Sequence, residues 1–272
     1  MPKFVTLVNG SHLFGTFKHL EVFVDDYEAL FRYTFERAVR RWRSTFAGAD
    51  ALLAQQLRVY WYIVDSMDEW DLNGMRTRQH LFERFIDDRE IRARWMSEAS
   101  RMLAGTGADP ARIEQTAYGM CYDDFKSWYE KKVSILGGMN RFYHAVESAS
   151  DFIEMRRCGR WRVDLLHKVI TEKGLDVGFA VDLVALQPHY DVAVLIAPDL
   201  EGIPGMGYVK NNGKQLMSIE FLRGTPPEHG RPTLAKFRTG VDCVVPIYES
   251  ELVRDGLATK GENDSYSLRD TE

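Results

Sequence analysis

Apolar residues gather along the chain in four short runs rich in β-branched and aromatic side chains: Phe4–Val8, Val59–Val64, Val192–Ala197 and Leu216–Phe221. Their unbroken hydrophobicity suits strands covered on both faces, as in a parallel sheet, because a half-exposed strand would alternate apolar with polar positions. Phe152–Arg157 and Val241–Ile247 are weaker strand candidates. Between the runs the period changes. In "FRYTFERAVRRWRSTF" the apolar residues Phe31, Phe35, Ala38, Trp42 and Phe46 recur at spacings of three and four, while Arg37, Arg40, Arg41 and Arg43 mostly lie elsewhere. That is a helix with one face to bury. Strand–helix alternation of this kind predicts an α/β fold wound about a mostly parallel sheet.

Residues 71 to about 150 break the alternation. They are charged and helical by pattern, with breaks expected at Gly105–Gly107, ahead of Pro110, and again at Gly137–Gly138. Residues 71–127 therefore read as a helical insertion within a single domain spanning 1–260. From Gly261 onward "GENDSYSLRDTE" has little to bury and reads as a mobile acidic tail.

Composition adds less than its headline suggests. The net charge is −5, from 40 acids and 35 bases. Seven of those acids and three of the bases fall in residues 249–272, so the body, with 33 acids and 32 bases, is near neutral. The charge argues neither for nor against a phosphate-rich partner. No run of 18 apolar residues suggests a membrane span, and the first strand is too short for a signal peptide core. Cys121, Cys158 and Cys243 are widely spaced, fit no zinc or disulfide pattern, and read as packing residues in a reducing cytoplasm.

Ligands of parallel α/β sheets bind outside the carboxyl ends of the strands, so the residues after each strand carry the functional information. After the first strand comes "NGSH" (Asn9–His12), which reads as a polar turn. After "DVAVLIA" comes Pro198-Asp199-Leu200-Glu201. In "TEKGLDVGFAVDLVAL", Asp176 sits at a helix start just past Lys173-Gly174, and Asp182 follows six residues on. Six helical residues turn through about 600°, so the two acids face different sides and Asp176 is the better placed. Clustered carboxylates at strand ends suit a hard divalent cation, which takes oxygen ligands and bridges to phosphate. They also suit a plainer role, with Asp199 and Glu201 as loop solubilisers and Asp176 as a helix cap.

An ordered set of segments decides how these acids are read: "LVNGSH", "EKGLDVGFAVDL", "AVLIAPDLEGIP", "NNGKQLMSI" and "GVDCVVPIYESEL". In this order, over residues 1–65 and roughly 150–257, the chain resembles the NYN-domain family of PIN-like ribonucleases, LabA-type proteins included. The resemblance implies a PIN-like three-layer α/β/α fold with a mostly parallel central sheet and a helical insertion. It implies a divalent-metal-dependent ribonuclease acting on single-stranded RNA, with Mg²⁺ or Mn²⁺ as cofactor. Carried over position by position, the catalytic and metal-binding set falls on Asn9, Asp176, Asp199 and Glu201, with Asp182 accessory. The chain departs from the family at three places. The first-strand acid is Asn9, natural or introduced; the turn's usual Asn is His12; and the small pair before the third acid is Ala197-Pro198. Asn9 offers a carbonyl oxygen but no charge, which brings in a second reading: a catalytically degenerate RNA-binding or regulatory protein of the same fold.

Other residues carry open alternatives. Ser11 and His12 contact substrate or metal, or lie on a surface turn; Lys173 and Lys214 steer a phosphate backbone, or meet solvent. Arg160, Trp161 and Arg162 in "MRRCGRWR" join charge and an aromatic ring as single-stranded nucleic acid requires, or form a solvated strand edge. "RRWR" at 40–43 reads as a solvated helix face. "GIPGMG" lacks the Lys-Ser/Thr of a phosphate-binding loop. A homodimer and the absence of any membrane partner complete the expectations.

Overall fold

The computed structural model describes residues 1–47, 53–198, 205–227 and 240–261. The fold is mixed α/β around a mostly parallel seven-stranded sheet. Its strands are β1 (Lys3–Asn9), β3 (Gln55–Met67), β4 (Ile153–Asp164), β5 (Val169–Lys173), β6 (Val192–Ile196), β7 (Gln215–Leu222) and β8 (Cys243–Tyr248). They lie in the order β5-β4-β3-β1-β6-β7-β8. All neighbouring pairs from β4 to β8 run parallel; only the edge strand β5 is antiparallel to β4. A separate two-stranded ribbon joins β2 (Val22–Phe23) to β9 (Thr259–Lys260).

The chain forms two compact units, residues 1–64, 143–159 and 174–272 in the first and 65–142 with 160–173 in the second. In the first unit, helices α1 (Gly10–Leu20) and α2 (Tyr27–Trp42) cover one sheet face. Trp61 of β3 meets Phe14, Tyr27 and Phe31 there, and Phe4 of β1 meets Phe35 and Trp42 edge-on. Helix α6 (Leu175–Ala185) covers the opposite face, where Phe179 stacks on Tyr62, and α7 (Gly205–Asn211) packs beside it and on β7. Both faces of β1 and β6 are thus covered. That is why every residue from Phe4 to Val8 and from Val192 to Ile196 is buried and why their sequences do not alternate.

The second unit contains α3 (Met75–Asp87), α4 (Arg89–Met102) and most of α5 (Pro110–Ala149). Asp88 ends α3 and caps α4, accepting from Ile91 N at 2.9 Å. Phe82, Phe85, Tyr118, Tyr122 and Phe125 form its aromatic core. Gly105 and Gly107, both at positive φ, break the helix as expected. The break expected at Gly137–Gly138 does not occur, because α5 runs through both residues without interruption. Two adjacent glycines lower helix propensity by only about 1 kcal/mol each, less than the packing of a 40-residue helix returns.

The cysteine reading needs one correction. Cys121 and Cys243 are buried, but Cys158 on β4 is exposed, so packing is not its role. Among the described residues no helix is long and apolar enough to cross a membrane. The tail from Glu262 lies outside the described residues.

Candidate functional site at the sheet switch point

From β1 the chain moves outward through β3 to β4, then returns to place β6 on the other side of β1 and continues outward to β7 and β8. The order therefore reverses between β1 and β6, and the crevice outside their carboxyl ends is where this class of sheet binds ligands. Asn9 is the last residue of β1.

The structure corrects the reading of "NGSH" as a turn. Asn9 is the N-cap of α1, and Gly10, Ser11 and His12 form the helix's first turn. The Asn9 side-chain oxygen accepts from His12 N at 3.0 Å, satisfying one of the amides a helix start leaves free. Gly10 is required here for space: a Cβ would lie 2.7 Å from the Tyr62 carbonyl oxygen. Because Oδ1 faces the helix, Nδ2 faces the other way and contacts Asp176 Oδ1 at 3.5 Å. Asn9 itself is only 4 % exposed.

Asp176 stands in the first turn of α6, exposed to solvent. Gly174 sets that helix start. Its φ of +97° lies in the left-handed region, and a Cβ would fall 2.3 Å from the Cys158 carbonyl oxygen. Asp182 points to another side of α6, as the 600° separation requires. Tyr62 Oη donates to its Oδ2 at 3.0 Å, and Arg156 Nε lies 3.0 Å from the same atom. Asp182 is thus already neutralised by a cation, whereas Asp176 has only the Asn9 amide.

Ser11 is exposed and His12 half-buried at the start of α1. Burial lowers the His12 pKa, so its imidazole is neutral at physiological pH. Lys214 is not brought to this end. It lies at the amino ends of β6 and β7, where its Nζ donates to the Tyr190 carbonyl at 2.6 Å. Arg160, Trp161, Arg162 and Lys173 belong to the second unit. There Arg160 pairs opposite Lys173, and Arg162 opposite Thr171, in the β4–β5 ladder. Arg160 also forms an ion pair with Asp68 at 2.9 Å. Trp161 points to the strand face opposite that of the two arginines, so the three do not share one surface.

Asp199 and Glu201 lie outside the described residues. In sequence, Asp199 follows the last residue of β6 by three positions. Among the described residues no three His, Cys, Asp or Glu side chains converge closely enough to hold a metal ion. The described residues contribute oxygen donors of the right chemistry for a hard cation, chiefly the Asp176 carboxylate, but not a complete ligand set.

One acid at this level is missing from the sequence-based set. The parallel registers pair Asn9 with Tyr62, Val8 with Ile196, Leu195 with Ser218, and Glu220 with Pro246. Extending them places Tyr62, Asn9, Ala197 and Glu220 in one row across four strands, all on the α6 face. Glu220 is 7 % exposed, and Ser218 Oγ donates to its Oε1. The signal was available: Glu220 is the one charged residue inside the apolar run Leu216–Phe221.

No family model matches the chain, and no curated protein matches it. Among solved structures, the crystal structure of a protein of unknown function from Vibrio parahaemolyticus RIMD 2210633 is similar over 90 % of this chain and 93 % of that one. The identity is 11 % and the TM-score 0.36, a likeness too remote to bear on function.

Proposed function

We propose that the chain is a divalent-metal-dependent ribonuclease of the PIN-like kind, acting on single-stranded RNA at the β1/β6 switch point. The observation that carries this reading is the topology. The order reversal places the end of β1, the start of α6 with its exposed Asp176, and the strand leading to Asp199 and Glu201 around one crevice. Asp176, Asp199 and Glu201 are the residues that would hold Mg²⁺ or Mn²⁺. The bound ion would activate a water and stabilise charge on the phosphodiester oxygens. The chain's own contribution is orientation. The Asn9 amide fixes the Asp176 carboxylate, and Gly10 and Gly174 let the two helix starts approach the strands closely. Neutral His12 and Ser11, in the first turn of α1, offer a phosphate uncharged hydrogen-bond donors. A reducing compartment such as the cytoplasm fits the three unpaired cysteines.

The test is cleavage of end-labelled single-stranded RNA with Mn²⁺. Asp199→Asn is expected to lower the rate on the order of 100-fold, the usual cost of removing a group that stabilises charge at the reacting centre. Unchanged cleavage would refute the site assignment.

A second reading is favoured by one specific contact. The Asn9 amide donates toward Asp176, where a second carboxylate would need a cation between the two. This arrangement suits a non-hydrolytic RNA-binding or regulatory protein. RNA binding that persists in EDTA, with no Mn²⁺ binding to the full chain, would select this reading over the first.

A further inference from the structure

Glu220 is a buried carboxyl in a place where nothing about the core requires one. It lies on β7 with Leu216, Met217, Ile219 and Phe221, all buried. A carboxylate is costly to bury without a positive partner. Its hydrogen bond from the Ser218 hydroxyl is neutral, and among the described residues no Lys, Arg or His pairs with it. Other buried acids of this unit are answered differently. Glu251, 6 % exposed, receives Arg37 Nη1 at 2.6 Å and the Tyr248 backbone amide at 3.0 Å. Glu220 therefore stands as a carboxyl whose natural positive partner is missing.

Its position says where that partner would come from. Counting along the registers, Glu220 is level with Asn9 and two strands away, a Cα separation of roughly 10 Å at the usual strand spacing. The residue between them in the row is Ala197, whose methyl group leaves room that a larger side chain would fill. The row faces α6, the side from which Asp176 reaches Asn9. The switch point lies between the same strands.

We propose that Glu220 contributes to the switch-point site the carboxylate that position 9 lacks, binding the divalent cation together with Asp176. This rests on the metal-dependent reading above. The acid has moved two strands along the row, from the end of β1 to β7, and Asn9 has become a neutral cap and positioning residue.

The experiment is Mn²⁺ titration of the full chain, followed by calorimetry, with thermal unfolding as the folding control. Glu220→Gln keeps the shape and the Ser218 hydrogen bond. It is expected to weaken Mn²⁺ binding by about 10- to 100-fold, at least the loss that follows damage to a ligand's supporting shell. Adding Asn9→Asp to that variant is expected to restore most of the affinity, a rescue that a merely structural role for Glu220 would not give. Wild-type affinity in Glu220→Gln, with Asp176→Asn weakened, would overturn the role of Glu220 and leave the metal-dependent reading standing. Absence of Mn²⁺ binding by the wild-type chain would overturn both. If Glu220→Gln fails to fold, Glu220→Asp, which keeps the charge on a shorter arm, answers the same question: undiminished affinity there would also overturn the proposal.

Discussion

At the amino end of the first unit's sheet, each acid meets a donor that holds it. Asp191 accepts from the Lys3 backbone amide at 2.8 Å, and Asp242 accepts from Leu216 N at 2.8 Å and from Lys210 Nζ at 2.9 Å. Trp42 reaches across to Gln215, and Lys214 to the Tyr190 carbonyl. At the carboxyl end around β1, β6 and β7 the pattern is reversed. Asp176 has only the amide of Asn9 at 3.5 Å, and Glu220 only the hydroxyl of Ser218. The comparison separates two uses of a carboxylate. One closes the sheet with hydrogen bonds and counter-charges; the other keeps its charge uncompensated by the protein, which suits a ligand that brings its own positive charge.

Mutations at the two ends should therefore fail in different assays. The largest stability loss is expected from Asp242→Ala. It leaves the buried Leu216 amide without its acceptor and should cost about 1–3 kcal/mol in chemical denaturation, with Mn²⁺ affinity unchanged. A matching drop in affinity would erase the distinction between the ends. Asn9→Ala should cost about 1 kcal/mol, the value of a lost N-cap. Asn9→Asp retains the cap and should hold stability near wild type in the presence of Mn²⁺ while lowering it in EDTA, where two carboxylates then face each other. An unchanged Asn9→Asp variant in EDTA would mean that positions 9 and 176 do not interact.

The smallest effect concerns pH. Burial raises the Glu220 pKa by more than the Ser218 hydroxyl lowers it. The folded chain thus holds this proton more tightly than the unfolded chain, where glutamate titrates near 4.3. The resulting stabilisation is complete below that value and is lost as pH rises through the raised folded pKa. In EDTA, Glu220→Gln should therefore gain stability relative to wild type as pH rises from about 4 to neutrality, read as a widening gap in thermal midpoints. A constant gap would show that Glu220 has a normal pKa in the folded chain.

The parts of the fold that could be read from sequence share a physical cause. Strands β1, β3, β6 and β7 lie between covered faces, so burial alone writes them as unbroken apolar runs. The start of α6 could be placed because Gly174 must adopt a left-handed conformation there. Strand β4 was only half visible, and β5 not at all. In "IEMRRCGRWRVD" the charges are balanced across the chain, by Arg156 with Glu154, Arg157 with Glu147 and Arg160 with Asp68. Such pairs make a strand look like a loop until its neighbours are known. "NGSH" looked like a turn because Asn-Gly favours turns. The same two residues begin a helix when a cap and a close strand are what the position requires.

Sequence by itself determined the elements that burial or backbone strain impose locally, and it marked Asp176 as the acid at a helix start. It also supplied the acids of the candidate site as a set of residue types. Only the tertiary structure decided which of them stand without a counter-charge, because that depends on neighbours far away in the chain. Arg156 reaches Asp182 across the sheet, and Asn9 reaches Asp176 across 167 positions. Glu220 falls level with Asn9 only through two strand registers. Registers and pairings are properties of the sheet as a whole, and no local stretch of sequence encodes them.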